Sequence, residues 1–248
     1  MRSSEKKIQS EYTADQFINK LKAYKSDDEL GKYQHFFLFN KDKQNGDDFF
    51  IGVKMGKVFT LAKEFEAMQP DEIEKLLESP VHEVRVGAVS IMDFQARNKK
   101  TPETRRKELF DLYIKRHYRI NNWDLVDRSA IYVIGSFLFD KPRNILYKLA
   151  RSKNIWERRT AIVSTAFFIK QGEADDTFKI AEILINDKED LIHKAVGGWV
   201  RQAGKIDKQR LMDILEKHAA TMPRTTLRYA VEHLNKKQRD YYMNMKNI

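Results

Sequence analysis

An Ala followed by Val or Ile recurs along this chain, at Ala88-Val89, Ala130-Ile131, Ala161-Ile162, Ala195-Val196 and Ala230-Val231. The spacings are 42, 31, 34 and 35 residues. Each pair lies in an apolar stretch of helical spacing, preceded by polar or basic residues. Self-similarity at such periods marks stacked helix pairs, because one pair alone cannot bury its apolar face. A small Ala at a fixed point lets neighbouring helices approach closely. Repeats of this kind curve into an array with an extended inner face.

Local signals agree with helices. Gly (10) and Pro (5) are scarce in the 248 residues, at about half their usual share, and turn-rich all-β folds need more of both. Thr13-Ala-Asp-Gln16 and Ser26-Asp-Asp-Glu29 have the capping-box spacing. Phe17, Leu21 and Tyr24 then share one face, as do Leu30, Tyr33 and Phe37. Pro70, Pro80, Pro102, Pro142 and Pro223 stand where apolar periodicity breaks, which suits helix starts. Residues 40–48 are polar, contain Asn-Gly and read as a loop. No segment alternates with period two, so no sheet is expected.

The net charge of +10 is unevenly placed. Residues 97–160 hold 17 Lys or Arg and 7 Asp or Glu, which accounts for the whole excess. A concentrated basic segment is the footprint of a polyanion binder. A solvated basic face with no partner gives the same signal, as does a surface for acidic membranes or proteins. The expected fold is all-α: a superhelical array of HEAT-like antiparallel helix pairs with a concave basic cleft, one domain over residues 1–248. The chain has no cysteine, which excludes disulfides, thiolate metal sites and cysteine nucleophiles. Met1–Lys7 is charged and leads into no apolar run, so no signal peptide is expected. The longest uncharged apolar stretch, Ser129–Phe139, is too short for the roughly 20 residues of a membrane span.

Several catalytic motifs are missing. Gly52-Val-Lys-Met-Gly56-Lys57 has the wrong spacing for a phosphate loop and is followed by Val58. No Gly-x-Ser-x-Gly elbow occurs. The six histidines include no pair at metal-ligand spacing beside a carboxylate. His82 and His193 read as polar surface residues.

The most distinctive stretch is Ile120-Asn-Asn-Trp-Asp-Leu-Val-Asp127. Trp123 and Asp127 are four apart and share a helical face. The bland account is an Asp paired with Arg128 or Arg159 beside a buried Trp. Asn154-Ile-Trp-Glu-Arg-Arg-Thr-Ala-Ile162 and His193-Lys-Ala-Val-Gly-Gly-Trp-Val-Arg201 occupy equivalent places one and two repeats on. All three Trp residues, at 123, 156 and 199, therefore lie in matching helices. Aromatic and Arg side chains interleaved along one groove can grip sugars and phosphates. At least one of the three Trp residues is expected to be structural.

These segments resemble the AlkD-like DNA alkylation repair proteins, DNA glycosylases built from HEAT-like repeats. The likeness runs from about residue 15 to 243. It rests on Phe50-Ile-Gly-Val-Lys-Met, Asn122-Trp-Asp-Leu-Val-Asp127, Ile155-Trp-Glu-Arg-Arg-Thr-Ala-Ile162, Lys194-Ala-Val-Gly197 and Met222-Pro-Arg-Thr-Thr-Leu-Arg-Tyr-Ala230. By this resemblance the catalytic Asp is Asp127, its Trp partner is Trp123 and the active-site Arg is Arg159. The Tyr lining the lesion site matches Tyr33. The expected DNA-contacting set, drawn from this resemblance and from the basic segment together, is Tyr33, Lys99, Lys100, Arg158, Lys194, Trp199 and Arg201. The family's other lesion-facing Trp directly follows Lys-Ala-(Ile or Val)-Gly. Here Gly198 stands there and Trp199 comes one later, rotated by about 100° on a helix. The expectation is a regular helix, with Trp199 packed into the next repeat and Gly198 leaving the cleft wider.

The resemblance implies removal of 3- or 7-alkylpurines from duplex DNA without a base-specificity pocket. Such a base is positively charged and leaves readily. Asp127 would stabilise oxocarbenium charge on the sugar and position water, with Trp123 facing the developing cation. No metal or organic cofactor is required. The implied partner is double-stranded DNA carrying alkylated bases, met by a cytoplasmic, nucleoid-associated monomer with no membrane contact. Two other readings compete: a non-catalytic DNA-binding repeat protein for damaged or branched DNA, and a helical scaffold for an acidic protein.

Overall fold

The computed structural model describes residues 12–37 and 49–245. The expectations for Met1–Lys7 and for the loop at 40–48 lie outside these residues. The described chain is all-α. Its sole β-type pairing is one isolated bridge between Phe49 and Val81. The chain forms two compact units, Met1–Ile120 and Asn121–Ile248, which are taken in turn.

The first unit holds α1 (Ala14–Lys22), α2 (Asp27–Phe37), α3 (Met55–Glu64), α4 (Pro70–Leu77), α5 (His82–Arg97) and α6 (Glu103–Lys115). Thr13 and Gln16 close a reciprocal capping box on α1, and Phe17 and Leu21 are buried. Tyr24, expected on that face, lies past the helix end and is exposed. Pro70 begins α4 and Pro102 caps α6. The apolar centre is α5, whose side chains are almost all buried; it packs on α3, α4 and α6. His82 is buried on α5 with its ring 4.6 Å from that of Phe50, so it is not the surface residue its polarity suggested. Its own helix is covered on every side.

The second unit begins with α7 (Trp123–Ser129), which passes without a break into a π-helical segment, Ala130–Ser136. Then come α8 (Asn144–Ala150), α9 (Ile155–Ser164), α10 (Ala166–Lys170), α11 (Asp175–Leu184), α12 (Asp190–Ala203), α13 (Lys208–His218), α14 (Arg224–Ala230) and α15 (Lys236–Asn244). Within this unit α7, α9, α12 and α14 pack side by side in that order, and α8, α11 and α13 form a second row behind them. The repeat visible in the sequence is this row. Ala130, Ala161, Ala195 and Ala230 are all buried within it.

Glycines set two of its close approaches. A Cβ on Gly135 would fall 2.2 Å from the Ser164 carbonyl oxygen, and one on Gly197 would fall 2.5 Å from that of Thr226. Each glycine thus meets a carbonyl 29 residues further on, one repeat away, which a larger residue would push back. Trp156 is buried and is the structural member of the Trp trio.

Candidate active site

Asn122 sets the start of α7: its buried side chain accepts the Trp123 N–H at 2.7 Å. One helical turn on, Asp127 meets Arg159 of α9. Arg159 Nε donates to Asp127 Oδ1 at 2.8 Å and Nη2 donates to Oδ2 at 2.7 Å. Arg159 Nη1 donates to the Leu191 carbonyl of α12 at 2.6 Å. One guanidinium therefore ties three neighbouring helices together. Paired N–H donors on a carboxylate are the strong, geometrically restrictive form of this contact.

The two partners differ in exposure. Arg159 is 8% exposed, whereas the Asp127 side chain is 39% exposed. A carboxylate offers about four lone-pair sites, and Arg159 takes two. Asp127 is thus an oriented, accessible carboxylate on a buried cation, free to accept further hydrogen bonds or to face a positive charge. Trp123, one turn before it, is half-buried rather than sealed in the core. The bland account of this stretch foresaw the ion pair but had the indole beside it buried, where it is half-buried. The π-helical segment follows Asp127 after two residues, a placement common near functional sites.

The remaining expected site residues divide between the units. In the first, the Tyr33 hydroxyl donates to the Val53 carbonyl at 3.0 Å and its ring lies 5.8 Å from Phe50. Glu83, fully buried on α5, holds that segment by accepting the N–H groups of Ile51 (3.0 Å) and Gly52 (2.9 Å). Lys99 and Lys100 are exposed beyond α5.

In the second unit Arg158 is committed internally. It donates to Asp187 at 2.6 and 3.2 Å and to the carbonyls of Ser152 and Lys153 at 3.0 Å. Lys194 pairs with Asp190 at 2.6 Å, and Arg201 pairs with Glu232. α12 is a regular helix, as expected. Trp199 is half-buried and lines a cavity with Ala166, Ile169 and Lys170 of α10. An added Cβ on Gly198 meets nothing within 4 Å, so the space beside it is open.

The basic segment changes character in three dimensions. Arg97 pairs with Asp93, Lys115 and Arg116 with Glu74, Arg143 with Asp176 and Arg158 with Asp187. Those carboxylates all lie outside 97–160. Much of the local charge excess is therefore neutralised by distant residues, as a one-dimensional count cannot show. Lys99, Lys100, Lys148 and Lys153 are exposed and have no carboxylate partner among the described residues.

Sequence reasoning missed the Leu191 carbonyl and the Glu83 clamp. A main-chain acceptor carries no residue-type signal. Glu83 stands in no motif that would mark it as a main-chain clamp. Among the described residues no group of three or more His, Cys, Asp or Glu is gathered as a metal site would need. No helix among them is long and apolar enough to cross a membrane.

Comparison with known proteins follows this geometry. A family model described as DNA alkylation repair enzyme matches residues 17–234. A solved structure described as a predicted DNA alkylation repair enzyme from Enterococcus faecalis has a similar fold, with a TM-score of 0.65. It shares 17% identity, over 86% of this chain and 97% of that one. No curated protein matches.

Proposed function

The chain belongs to the DNA alkylation repair enzyme family, and from that premise we propose that it is a glycosylase releasing cationic 3- or 7-alkylpurines from duplex DNA. The observation that carries this reading is the Asp127 carboxylate, partly exposed and held on two oxygens by a buried Arg159. Glycosidic cleavage of a cationic base transfers positive charge to the deoxyribose. A fixed negative group needs no reorganisation as that charge develops, which is where electrostatic catalysis is strongest. The two unused acceptor sites of Asp127 can also orient the water that attacks the anomeric carbon. Water adds one C–O bond as the C–N bond breaks; the base leaves with the bonding pair and water loses one proton.

Trp123, a turn away, offers an aromatic face to the same developing cation. Arg159 acts through Asp127 as a positioning residue. With three of its five N–H donors already engaged and little exposure, it has limited capacity for a phosphate. Phosphate contacts fall instead to exposed cations, of which Lys99, Lys100, Lys148 and Lys153 are the candidates. The basic cleft, the single domain, the monomeric state and a cytoplasmic location complete the proposal. Nothing in it calls for a metal or an organic cofactor.

The test is base release. Duplex DNA containing 7-methylguanine is incubated with the protein, and free base is measured by chromatography, with unmodified duplex as the control. Release from the alkylated duplex alone supports the reading. Tight binding without release would leave a DNA-binding repeat protein, a reading to which the open space at Gly198 also lends support.

A further inference from the structure

Arg159 bonds Leu191 across the α9–α12 boundary. Seven residues further along the chain from each, Ala166 and Gly198 line a cavity of about 360 Å³. On α12 seven residues is close to two turns, so Gly198 lies on the same helical face as Leu191, about 10 Å further along, while Ala166 opens α10 just after α9 ends at Ser164. The cavity, lined from α10 and α12, thus lies against the face of α12 that carries Leu191.

Its lining is chemically specific. Trp199, Ile169, Ala166 and the bare side of Gly198 supply aromatic and apolar surface. Lys170, Arg201 and Gln202 supply the polar groups, and no carboxylate lines it. Arg201 is balanced by Glu232. Lys170 is exposed and has no carboxylate partner among the described residues. Its ammonium donates to the Tyr132 hydroxyl at 3.1 Å and lies 4.9 Å from that ring's centre.

An occupant must therefore be flat enough for an indole wall, small enough for a cavity of this size and anionic at one end. Aromatic platforms with a neighbouring cation are how proteins hold unpaired bases. We propose that this cavity is a subsite for one unpaired nucleotide of the bound DNA strand, its base against Trp199 and its phosphate at Lys170. The proposal rests on DNA being the partner, as argued above, and not on base release. Opening a pair near a lesion leaves such a base without its partner.

The experiment uses the full chain and a duplex carrying a single bulged 2-aminopurine, whose fluorescence is quenched by stacking. The fully paired duplex and free deoxyadenosine monophosphate are the controls. We expect quenching on the bulged duplex and about a tenfold preference for it over the paired one, as one stacked base gives. Trp199→Leu should abolish both effects. Lys170→Gln, an exposed substitution that leaves the fold intact, should lower the preference about threefold. A preference unchanged in both variants would overturn the proposal, as would free nucleotide binding as tightly as the bulge. Base release from 7-methylguanine duplex, measured in parallel, tests the glycosylase reading separately, because bulge binding does not require it.

Discussion

Arg159 holds Asp127 through two parallel hydrogen bonds of 2.8 and 2.7 Å while hanging from the Leu191 carbonyl by a third. The carboxylate is therefore fixed by α9 and α12, although α7 carries it. A rotamer change at Asp127 has to break two charge-assisted bonds. Under the proposed function the site depends on this orientation, and the orientation depends on Arg159.

Arg159→Lys keeps the charge but loses the fork. Lys cannot reproduce the paired contact or reach Leu191 at the same time. The rate of base release per folded molecule should fall at least tenfold, while affinity for unmodified duplex changes little. Single-turnover kinetics beside a binding titration would separate the two. An equal loss in both would mean that Arg159 holds phosphate first and Asp127 second.

The internal pairing of the basic segment predicts two classes of cation. Lys99→Ala with Lys100→Ala should shallow the salt dependence of duplex binding, by a log–log slope of about 0.9 for each phosphate no longer neutralised. Arg158→Ala should instead leave the slope alone and lower stability by about 2–4 kcal/mol, since it strands a buried Asp187. Swapped outcomes would show that the ion pairs open on DNA.

The adjacent glycines of α12 should respond in opposite directions. Gly198→Ala meets open space and should stabilise the helix by up to about 1 kcal/mol. Gly197→Ala drives a Cβ to 2.5 Å from the Thr226 carbonyl oxygen and should destabilise by about 1–3 kcal/mol. Thermal unfolding of the two variants checks this directly, and a stabilised Gly197→Ala would mean that α14 is loosely held.

Acid should weaken the first unit through Glu74. Hydrogen bonds from Lys115 and Arg116 hold its carboxyl below the usual carboxylate range. A group lowered in the folded state stabilises above its unfolded value of about 4.3. That contribution is lost as pH falls through the lower folded value. Melting temperature should therefore drop more steeply below about pH 4.3 in the native chain than in Glu74→Gln. Parallel acid profiles would remove Glu74 from the balance.

The repeat was legible because Ala at helix contacts is a packing requirement, and packing requirements recur wherever the contact recurs. The cap at Thr13 and the helix starts at Pro70, Pro102 and Pro223 were readable for a similar reason: each answers a local backbone need. The Trp123–Asp127 pair was legible from spacing on one helix. Apart from the Asp127–Arg159 pair, one of the two pairings expected for Asp127, the relations that cross the chain escaped. Asp187 neutralising Arg158 lies 29 residues away, Glu74 lies 42 residues from Arg116, and the Leu191 carbonyl has no sequence signature at all. Trp199 shows the same limit: its helix was foreseen as regular, but the cavity it lines with α10 was not.

The central claim is that the Asp127 carboxylate stabilises charge as the glycosidic bond breaks. Asp127→Asn keeps the side-chain shape and removes its charge. It also leaves Arg159 partly unpaired, so excision must be normalised to folded protein. Single-turnover release of 7-methylguanine from duplex DNA should slow by about 10²–10³, the loss typical of one preorganised electrostatic group, while duplex binding holds or tightens. A release rate within a few-fold of the native chain, with binding intact, would contradict the account.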